Sequence, residues 1–356
     1  MKFTIAIQPD DYGPGDAASP VWIKYLEAAG QEVRLVDVFR PDILDQVRGC
    51  HGFMWRFAHF PNLRQVARRL LPVIEREMGI PVYPDQNTCW HYDDKIAQSY
   101  LLQTAGIPIP RTWVWYDARP AKEWAREAHY PLVLKLSGGA SSRNVRLLRS
   151  FGEAELWIDR LFGSGVTGLN GGAAKEPWSW ERRIFNAAKV LLRGNPPEKP
   201  DERSWELHKN YVLFQEFLPG NEFDTRVAVV GNRAFAQRRF NRPNDFRASG
   251  SGKFDTDPTK IDLEAVRLAY RVAQRLKTQS VAIDCLRRGE ERVVGEISYS
   301  YVSWIGLTCP GHWELSGDAM AGELVWREGR MWREEAQVAD FLDRVKASSG
   351  PMPVQG

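Results

Sequence analysis

Short apolar runs alternate with helix-like segments over the first ninety residues. The runs have the length of strands, and each helical pattern ends before a glycine that can terminate a helix. The apolar runs lie at 3–7, 33–38, 52–57 and 80–83, and the helical patterns at 20–29 and 62–78. Strands that alternate with helices form parallel sheets, because each helix returns the chain to the same edge. The pattern therefore predicts a doubly wound α/β domain over residues 1–90.

The middle of the chain combines helices with paired strands. A helical face over 92–104 stops at Gly106, and a strand, a helix and a second strand follow. A glycine- and serine-rich turn at 137–144 joins that strand to a hairpin partner. The strands are predicted at 112–116, 132–136 and 145–148, and the second helix at 121–128. We interpret residues 91–210 as a second, α+β unit.

Residues 163–205 differ in composition from the rest of that unit. Glycines and prolines surround one basic helical pattern at 181–192, and the segment carries Trp178, Trp180 and Trp205. We interpret it as an insertion or lid, and the alternative is a surface loop held down by three buried indoles.

Hairpins dominate the last third of the chain. The turn at Gly231-Asn232 has the residues of a tight hairpin connection. The strands are predicted at 211–217, 226–230, 234–237, 280–286 and 292–297, with an amphipathic helix at 263–276. This gives a third unit over 211–345 and a flexible tail over 346–356.

Composition narrows the function classes. The chain has 356 residues, 43% of them hydrophobic, and 48 basic residues against 45 acidic ones. A net charge of +3 is too small for general attraction to nucleic acid, and no apolar stretch is long enough to span a bilayer. The four cysteines are too widely spaced for a metal ribbon, which predicts reduced thiols in the cytoplasm. Nucleic-acid binding by the Arg/Trp-rich residues 178–205 is left as a weak alternative.

Lys135 is the first residue that carries chemistry. It interrupts the apolar strand 132–134 and leads into the glycine- and serine-rich turn, whose amides can face an anion. Lys95, by contrast, lies in a helical pattern, where a lone lysine is usually a solvated charge. The pairing of Lys135 with the glycine- and serine-rich turn therefore indicates a phosphate site, whereas Lys95 by itself does not.

Asp284 and Glu296 lie on the two strands of one predicted hairpin, each within an apolar run. Two such carboxylates would repel each other and lose hydration unless a cation lies between them. Hard oxygen ligands of this kind favour Mg²⁺. The alternative is that each acid lies on the solvent side of a half-buried strand. Cys285 is predicted on the opposite face, in the core.

In their order along the chain these motifs resemble the ATP-grasp superfamily, from about residue 83 to residue 301. The branch that they most resemble contains ribosomal-protein glutamate ligases, glutathione synthetases and D-alanine:D-alanine ligases. The resemblance implies an ATP-grasp fold behind the N-terminal α/β domain, with ATP and Mg²⁺, or Mn²⁺ as the alternative, as cofactors. Residues 138–144 would form the loop that folds over the triphosphate.

The resemblance also assigns roles to individual residues. It implies nucleotide binding by Lys95, Lys135, Ser137, Gly138, Gly139, Ser141, Gln215, Glu216, Phe217, Leu218, Glu222 and Asp224, catalysis by Lys135, Arg226 and Arg239, and metal binding by Asp284, Glu296 and Ser298. Ser298 stands where the family has asparagine, so a second metal position is left open. We expect substrate contacts from Tyr12, Trp55, Arg56 and Arg247.

The implied activity is an ATP-dependent ligase that activates a carboxylate as an acyl phosphate, joins it to an amine and releases ADP and phosphate. The expected substrates are small molecules, including sugar-linked or specialised-metabolite acids, with no nucleic-acid or membrane partner. A homo-oligomer is left open. The alternatives are a kinase of the same fold that phosphorylates a hydroxyl or carboxylate, and a nucleotide-binding sensor without turnover.

Overall fold

The computed structural model describes residues 2–10, 12, 16–139, 144–169, 206–242, 245–248, 251–302 and 304–348. Several predictions fall outside these ranges. They are Ser141 and most of the turn that follows Gly139, residues 170–205 of the predicted insertion with its tryptophans, and the predicted tail from residue 349 onward.

The first layer is a parallel sheet flanked by helices, as the sequence pattern predicts. Its elements are β1 (Thr4–Gln8), α1 (Ser19–Ala28), β2 (Glu32–Leu35), α2 (Ile43–Val47), β3 (Gly52–Trp55), α3 (Pro61–Pro72) and β4 (Val82–Tyr83). The strand order is β2-β1-β3-β4, and all three pairings are parallel. Helix α3 continues into a π-helical turn at Val73–Glu77. The carboxyl ends of the parallel strands therefore meet at one edge of this layer.

The second layer is an antiparallel sheet. Two connecting helices, α4 (Gln86–Cys89) and α5 (Lys95–Thr104), precede it. Its own elements are β5 (Thr112–Trp115), α6 (Ala118–Glu127), β6 (Leu132–Lys135), β7 (Val145–Leu148), α7 (Phe151–Phe162) and β8 (Val212–Glu216). The strand order is β5-β8-β6-β7. The hairpin of β6 with β7 forms as predicted, whereas α7 was not predicted. Its buried residues Ala154, Trp157, Ile158 and Leu161 follow a helical spacing behind the capping residue Ser150.

The third layer is a larger antiparallel sheet covered by one long helix. Its elements are β9 (Phe223–Val230), β10 (Arg233–Phe240), β11 (Phe254–Asp255), α8 (Leu263–Leu276), β12 (Ser280–Arg288), β13 (Glu291–Ser298), α9 (Trp304–Thr308), β14 (Gly311–Ser316), β15 (Glu323–Glu328) and α10 (Arg333–Ser348). In the described part of the chain the order is β13-β12-β9-β10-β14-β15, with β11 beside β10. The predicted bounds of α8 agree with the structure, and Gly231 turns the β9-β10 hairpin with a φ of +56°.

Helix α10 returns from the third layer to the first. Its apolar residues, among them Phe341 and Val345, pack into the core around Phe3 and Trp22. The Trp22 indole N–H also donates to Gln337 on α10 at 2.9 Å. The last helix therefore fixes the N-terminal layer against the strands that carry the acidic residues. The domain bounds given above stay predictions.

Among the described residues, none of the helices combines the length and the apolar character needed to cross a membrane.

Candidate active site

A pocket opens between the second and third layers, at the ends of β6, β8, β12 and β13. Its lining combines apolar side chains with a group of charged ones. The apolar walls include Val133, Val145, Phe246 and Leu286, and the charged group includes Lys135, Asp224, Arg239, Asp284 and Glu296. Segments up to 186 positions apart in the sequence thus line one cleft, as the resemblance implies.

The segment Gln215–Leu218 forms part of the pocket wall. Pairing of β8 with β6 stops at Glu216, so the backbone of Phe217 lies beyond the sheet ladder. The Glu216 carboxylate accepts hydrogen bonds from the Arg111 backbone N–H at 3.0 Å and from Arg288 at 3.4 Å. Burial would raise the pKa of Glu216, but these basic partners lower it. The Glu216 side chain therefore binds the two arginines. The backbone beyond Glu216 is left as a polar edge of the pocket.

The two predicted lysines flank Glu296 but differ in their surroundings. Lys95 lies at the start of α5, is 8% exposed, and its ammonium group donates to Gly139 O at 3.1 Å and pairs with Glu296 at 3.3 Å. Lys135 is half-buried, and its ammonium group donates only to Gly295 O, at 3.4 Å, within the described residues.

These surroundings shift the two pKa values in opposite directions. Burial would lower the pKa of Lys95, but Glu296 and Asp93 raise it above its ordinary value. Burial lowers the pKa of Lys135 to about 8, because Glu296 offsets only part of the loss of hydration and Lys95 repels the charge. Lys135 is therefore the less well neutralised cation of the two.

Asp284 lies between two arginines. Arg226 makes two bonds with its carboxylate, at 2.7 and 2.8 Å, and Arg239 reaches it at 2.7 Å. Arg239 in turn makes two bonds with Asp224, at 2.8 and 2.6 Å. Burial would raise the pKa of Asp284, but the two guanidinium groups hold it well below its usual range.

This arrangement corrects the expected repulsion between Asp284 and Glu296. The two acids do pair across β12 and β13, as predicted. The charge of Asp284, however, is balanced by Arg226 and Arg239, and that of Glu296 is balanced by Lys95. Cys285, the next residue, lies in the core on the opposite face of the sheet, which confirms its predicted position.

The carboxylates of Asp284 and Glu296 suit a small, hard cation. Asp284 accepts three bonds from the arginines, and a carboxylate can accept about four. Glu296 is 42% exposed at its side chain and faces the pocket. Two carboxylates with phosphate oxygens are a common Mg²⁺ environment. Ser298 is less suited, because its hydroxyl donates to Ser300 O at 2.8 Å. Among the described residues, no three acidic, histidine or cysteine side chains are grouped as metal ligands.

The glycine- and serine-rich turn begins differently from the prediction. The backbone N–H of Ser137 donates to the Tyr211 hydroxyl at 2.9 Å, and that of Gly139 donates to the Asp93 carboxylate at 2.9 Å. These two amides are therefore used within the protein instead of facing an anion. The turn as far as Gly139 is described, and Ser141 lies outside the described residues.

The predicted substrate residues fall into two groups. Arg56 is 4% exposed, stacks on the Tyr12 ring at 3.8 Å, and donates to Ser300 at 3.2 Å and to Tyr301 O at 2.9 Å. Trp55 is 1% exposed in the core of the first layer. Both positions favour packing and bridging roles over the predicted contact with substrate.

Two further predicted residues lie at or near the pocket: Arg247, predicted to contact substrate, and Glu222, predicted to bind the nucleotide. Arg247 lines the pocket while it forms an ion pair with Asp245 at 2.6 Å. Glu222 is exposed and lies outside the pocket lining, although its neighbours Gly220 and Asn221 belong to it.

Sequence reasoning missed several residues of the site. Asp93 and Tyr211 hold the glycine- and serine-rich turn, and Arg64 of α3 donates to Asp93 O at 3.1 Å. Asp93 lies two positions before Lys95, which was a usable signal. Arg64 carried no such signal, because its partner is distant in sequence and belongs to a different layer.

Comparison with solved structures identifies the fold. The chain aligns with D-cycloserine synthetase DcsG over 96% of its own length and 99% of that chain, with a TM-score of 0.57 and 14% identity. It aligns with a D-alanine–D-alanine ligase from Bacillus anthracis over 86% of its length and 89% of that chain, with a TM-score of 0.52 and 12% identity. The chain has the ATP-grasp fold, as the resemblance of its motifs implies.

Curated relatives cover smaller parts of the sequence. The chain is 24% identical over 196 residues to the α-aminoadipate–LysW ligase LysX of Saccharolobus solfataricus, which is 55% of this chain and 57% of that protein. It is 30% identical over 147 residues to the uncharacterized protein y4rH of Sinorhizobium fredii, which is 41% of this chain and 30% of that protein. The matches thus span between about a third and three fifths of these relatives. No family model matches the chain.

Proposed function

We propose that this protein is an ATP-dependent ligase that activates a carboxylate as an acyl phosphate and joins it to an amine, releasing ADP and phosphate. One observation carries the proposal: a single pocket combines apolar walls and a strand end with Lys135, Arg239 and two facing carboxylates. A nucleoside triphosphate has groups that match both parts of this lining: a flat heteroaromatic base for the apolar walls, and a chain of anionic phosphates for the cations.

At the base end, the adenine ring lies between Val133 and Val145 on one side and Leu286 on the other. Its polar edge meets the backbone beyond Glu216, where the strand ladder has ended. Among the other predicted nucleotide-binding residues, Gln215, Phe217 and Leu218 support the wall. Glu222, another of the predicted nucleotide-binding residues, is proposed as the ribose contact.

At the phosphate end, Lys135 and Arg239 bind the phosphate oxygens. Lys95 holds Glu296 in place through their ion pair. Arg226 orients Asp284 through its two hydrogen bonds. We infer that Asp284 and Glu296 hold magnesium, with Mn²⁺ as an alternative, and when bound the ion neutralises part of the charge on the terminal phosphates.

The reaction then needs positioning more than a protein nucleophile. An oxygen of the acceptor carboxylate attacks the γ-phosphorus in line, and the bond from that phosphorus to the β-phosphate oxygen breaks, which releases ADP. The amine attacks the acyl carbon and loses a proton, and the carbon–oxygen bond to phosphate breaks. Cationic groups such as Lys135 and Arg239 stabilise the charge on the transferring group.

The acceptors are a small-molecule carboxylate and an amine, and we keep sugar-linked or specialised-metabolite acids as the expected class. Tyr12, whose hydroxyl lies 2.9 Å from that of Ser300 beyond the end of β13, is kept as a predicted substrate contact. We also propose a cytoplasmic setting, which the four free and buried cysteines support.

A hydroxamate assay tests this proposal without knowledge of the amine. The protein is incubated with ATP, Mg²⁺, hydroxylamine and a panel of carboxylic acids, because hydroxylamine traps an acyl phosphate as a hydroxamate. We expect at least one acid to give hydroxamate together with equal amounts of ADP and phosphate. With ¹⁸O in the carboxylate, one label should appear in the phosphate.

Other products would overturn the proposal. Release of AMP and pyrophosphate would show adenylate chemistry. A phosphorylated product that hydroxylamine does not trap would favour the kinase alternative. ATP binding without ADP formation for any acid of the panel would favour the sensor.

A further inference from the structure

The first three residues of the glycine- and serine-rich turn, Ser137–Gly139, are here called the loop root. Almost every described backbone polar group of the loop root has a partner within the protein. The bonds run from Ser137 N to the Tyr211 hydroxyl (2.9 Å), from Lys95 N to Ser137 O (2.8 Å), from the Asn144 side-chain amide to Gly138 O (2.7 Å), from Gly139 N to Asp93 (2.9 Å), and from the Lys95 ammonium group to Gly139 O (3.1 Å). The loop root is therefore anchored before any ligand binds.

Asp93 holds the central position in this arrangement. Its two carboxylate oxygens both accept from the Gly139 N–H, at 2.9 and 3.1 Å. Its backbone has a φ of +53°, in the left-handed region that non-glycine residues rarely occupy. This turn directs the carboxylate towards the loop root and lets α5 begin at Lys95, two residues later.

The contact between Asp93 and the loop root is also tight. A Cβ atom on Gly138 would lie 3.2 Å from the Asp93 carboxylate and 2.8 Å from that of Glu206. A Cβ atom on Gly139, which has a φ of +110°, would lie 2.2 Å from the Asn144 side chain. Gly139 is therefore favoured by its backbone angle and by the close Asn144 side chain, and a Cβ atom on Gly138 would displace the ends of two acidic side chains.

Arg64 extends the anchor into the first layer. It lies on α3, is 6% exposed, donates to Asp93 O at 3.1 Å and pairs with Glu206. The backbone of Asp93 is thus held from one side by the N-terminal layer, while its carboxylate holds the loop root on the other side.

We propose that Asp93 is a positioning residue for the triphosphate. It places the loop root through Gly139 N, and through the loop root it places Lys95, whose ammonium group binds Gly139 O. Arg64 fixes Asp93 to the N-terminal layer. The inference rests on the proposed function, in which Lys95 and this loop serve the phosphates of ATP.

Two substitutions at Asp93 separate its backbone from its carboxylate. Asp93→Gly keeps the left-handed backbone and removes the acceptor, whereas Asp93→Asn keeps an acceptor oxygen and also tolerates this φ. The probe is the ATP analogue AMPPNP with Mg²⁺, measured by calorimetry. We expect Asp93→Gly to weaken AMPPNP binding at least tenfold and Asp93→Asn to stay within about threefold of the native protein.

Hydrogen exchange of residues 136–148 in the nucleotide-free protein gives an independent readout. We expect faster exchange there in Asp93→Gly and native exchange in Asp93→Asn. Arg64→Met should also weaken AMPPNP binding, by less than Asp93→Gly, while Arg68→Met, one turn further along the same helix, should not.

Native AMPPNP affinity and native exchange in Asp93→Gly would overturn the inference, and so would equal losses in the glycine and asparagine variants. If the native protein itself fails to bind AMPPNP, the proposed function fails. The exchange comparison then still decides whether Asp93 holds the loop root.

Discussion

The phosphate end of the pocket has two sides that are built differently. On the arginine side, Asp224, Arg226, Arg239 and Asp284 bind one another at 2.6 to 2.8 Å across three neighbouring strands. On the lysine side, which comprises Lys95, Lys135 and Glu296, only Lys95 has a carboxylate partner within 4 Å among the described residues, at 3.3 Å. Lys135 has a single, long bond to a backbone oxygen.

The arginine side is thus already arranged before ligand binding, whereas the lysine side has a cation that can still bind an anionic ligand. Paired charges on the arginine side have already lost their hydration and gained partners, so they fix geometry. The unpaired ammonium group of Lys135 has lost hydration without such a partner, and an incoming phosphate would restore what it lacks. We therefore expect substitutions on the arginine side to destabilise the fold, and the loss of Lys135 to impair binding while it stabilises the protein.

The largest effect is expected for Asp284→Asn. Turnover should fall by roughly 100- to 1,000-fold, as for other losses of transition-state charge stabilisation. The protein should also lose roughly 3–5 kcal/mol of stability, because Arg226 would keep a buried charge without its carboxylate partner. Chemical denaturation and steady-state kinetics measure the two losses separately.

The double variant Asp284→Leu with Arg226→Met serves as the control. It removes both charges of that pair, and Arg239 keeps Asp224 as a partner. Most of the stability should return while turnover stays lost. Full stability of Asp284→Asn alone would contradict the account of the arginine side.

Lys135→Met should produce the next largest effect. ATP affinity should fall by about two orders of magnitude, since charge-assisted contacts to phosphate are lost at roughly 1.5–3 kcal/mol each. Stability near pH 7 should rise by about 1–2 kcal/mol, because the depressed pKa of Lys135 means that folding disfavours its charged form.

Lys95→Met is the matched control on the same side of the site. The pKa of Lys95 is raised, so its charge stabilises the fold, and its removal should lower both ATP affinity and stability. The same sign of stability change in both lysine variants would argue against the distinction drawn between them.

The pH dependence of ATP binding gives a third, smaller effect. Lys135 is charged below its pKa of about 8 and neutral above it, so KM for ATP should be flat below pH 8 and rise up to tenfold per unit above it. Initial rates between pH 6.5 and 9.5 check this. Lys135→Arg, which stays charged throughout, should remove the rise, and a flat profile in the native protein would disprove it.

The smallest effect is expected at the base end. Arg111 is 70% exposed at its side chain, and its ion pair with Glu216 spans 3.4 Å. Exposed pairs contribute about 0–1 kcal/mol, so Arg111→Met should change ATP affinity by less than about fivefold. A larger loss would mean that the Glu216 side chain, and not only the backbone beyond it, contacts the base.

Most of the fold follows from patterns that are local in sequence. Apolar periodicity predicted the parallel first layer and, for α8, both ends of the helix. Helix α10 was not predicted because its burial depends on Trp22 and Phe3, more than 300 residues away in the chain. A helix whose partner is so distant gives little local sign of which layer it covers.

The site divides in the same way. The order of the acidic and basic motifs placed Lys135, Asp284 and Glu296 at one pocket. The sequence could not reveal that Arg226 and Arg239 already neutralise Asp284, because that depends on the register of three strands. Arg56 shows the same limit: a strand-end arginine suggests substrate binding, yet its bonds to Ser300 and Tyr301 occupy it.

A crystal structure of the protein with AMPPNP and Mg²⁺ tests the central claim most directly. We expect the adenine between Val133 and Leu286, and Lys135 and Arg239 within about 3 Å of phosphate oxygens. An analogue bound elsewhere, or bound here with its phosphates directed away from Lys135, would contradict the account.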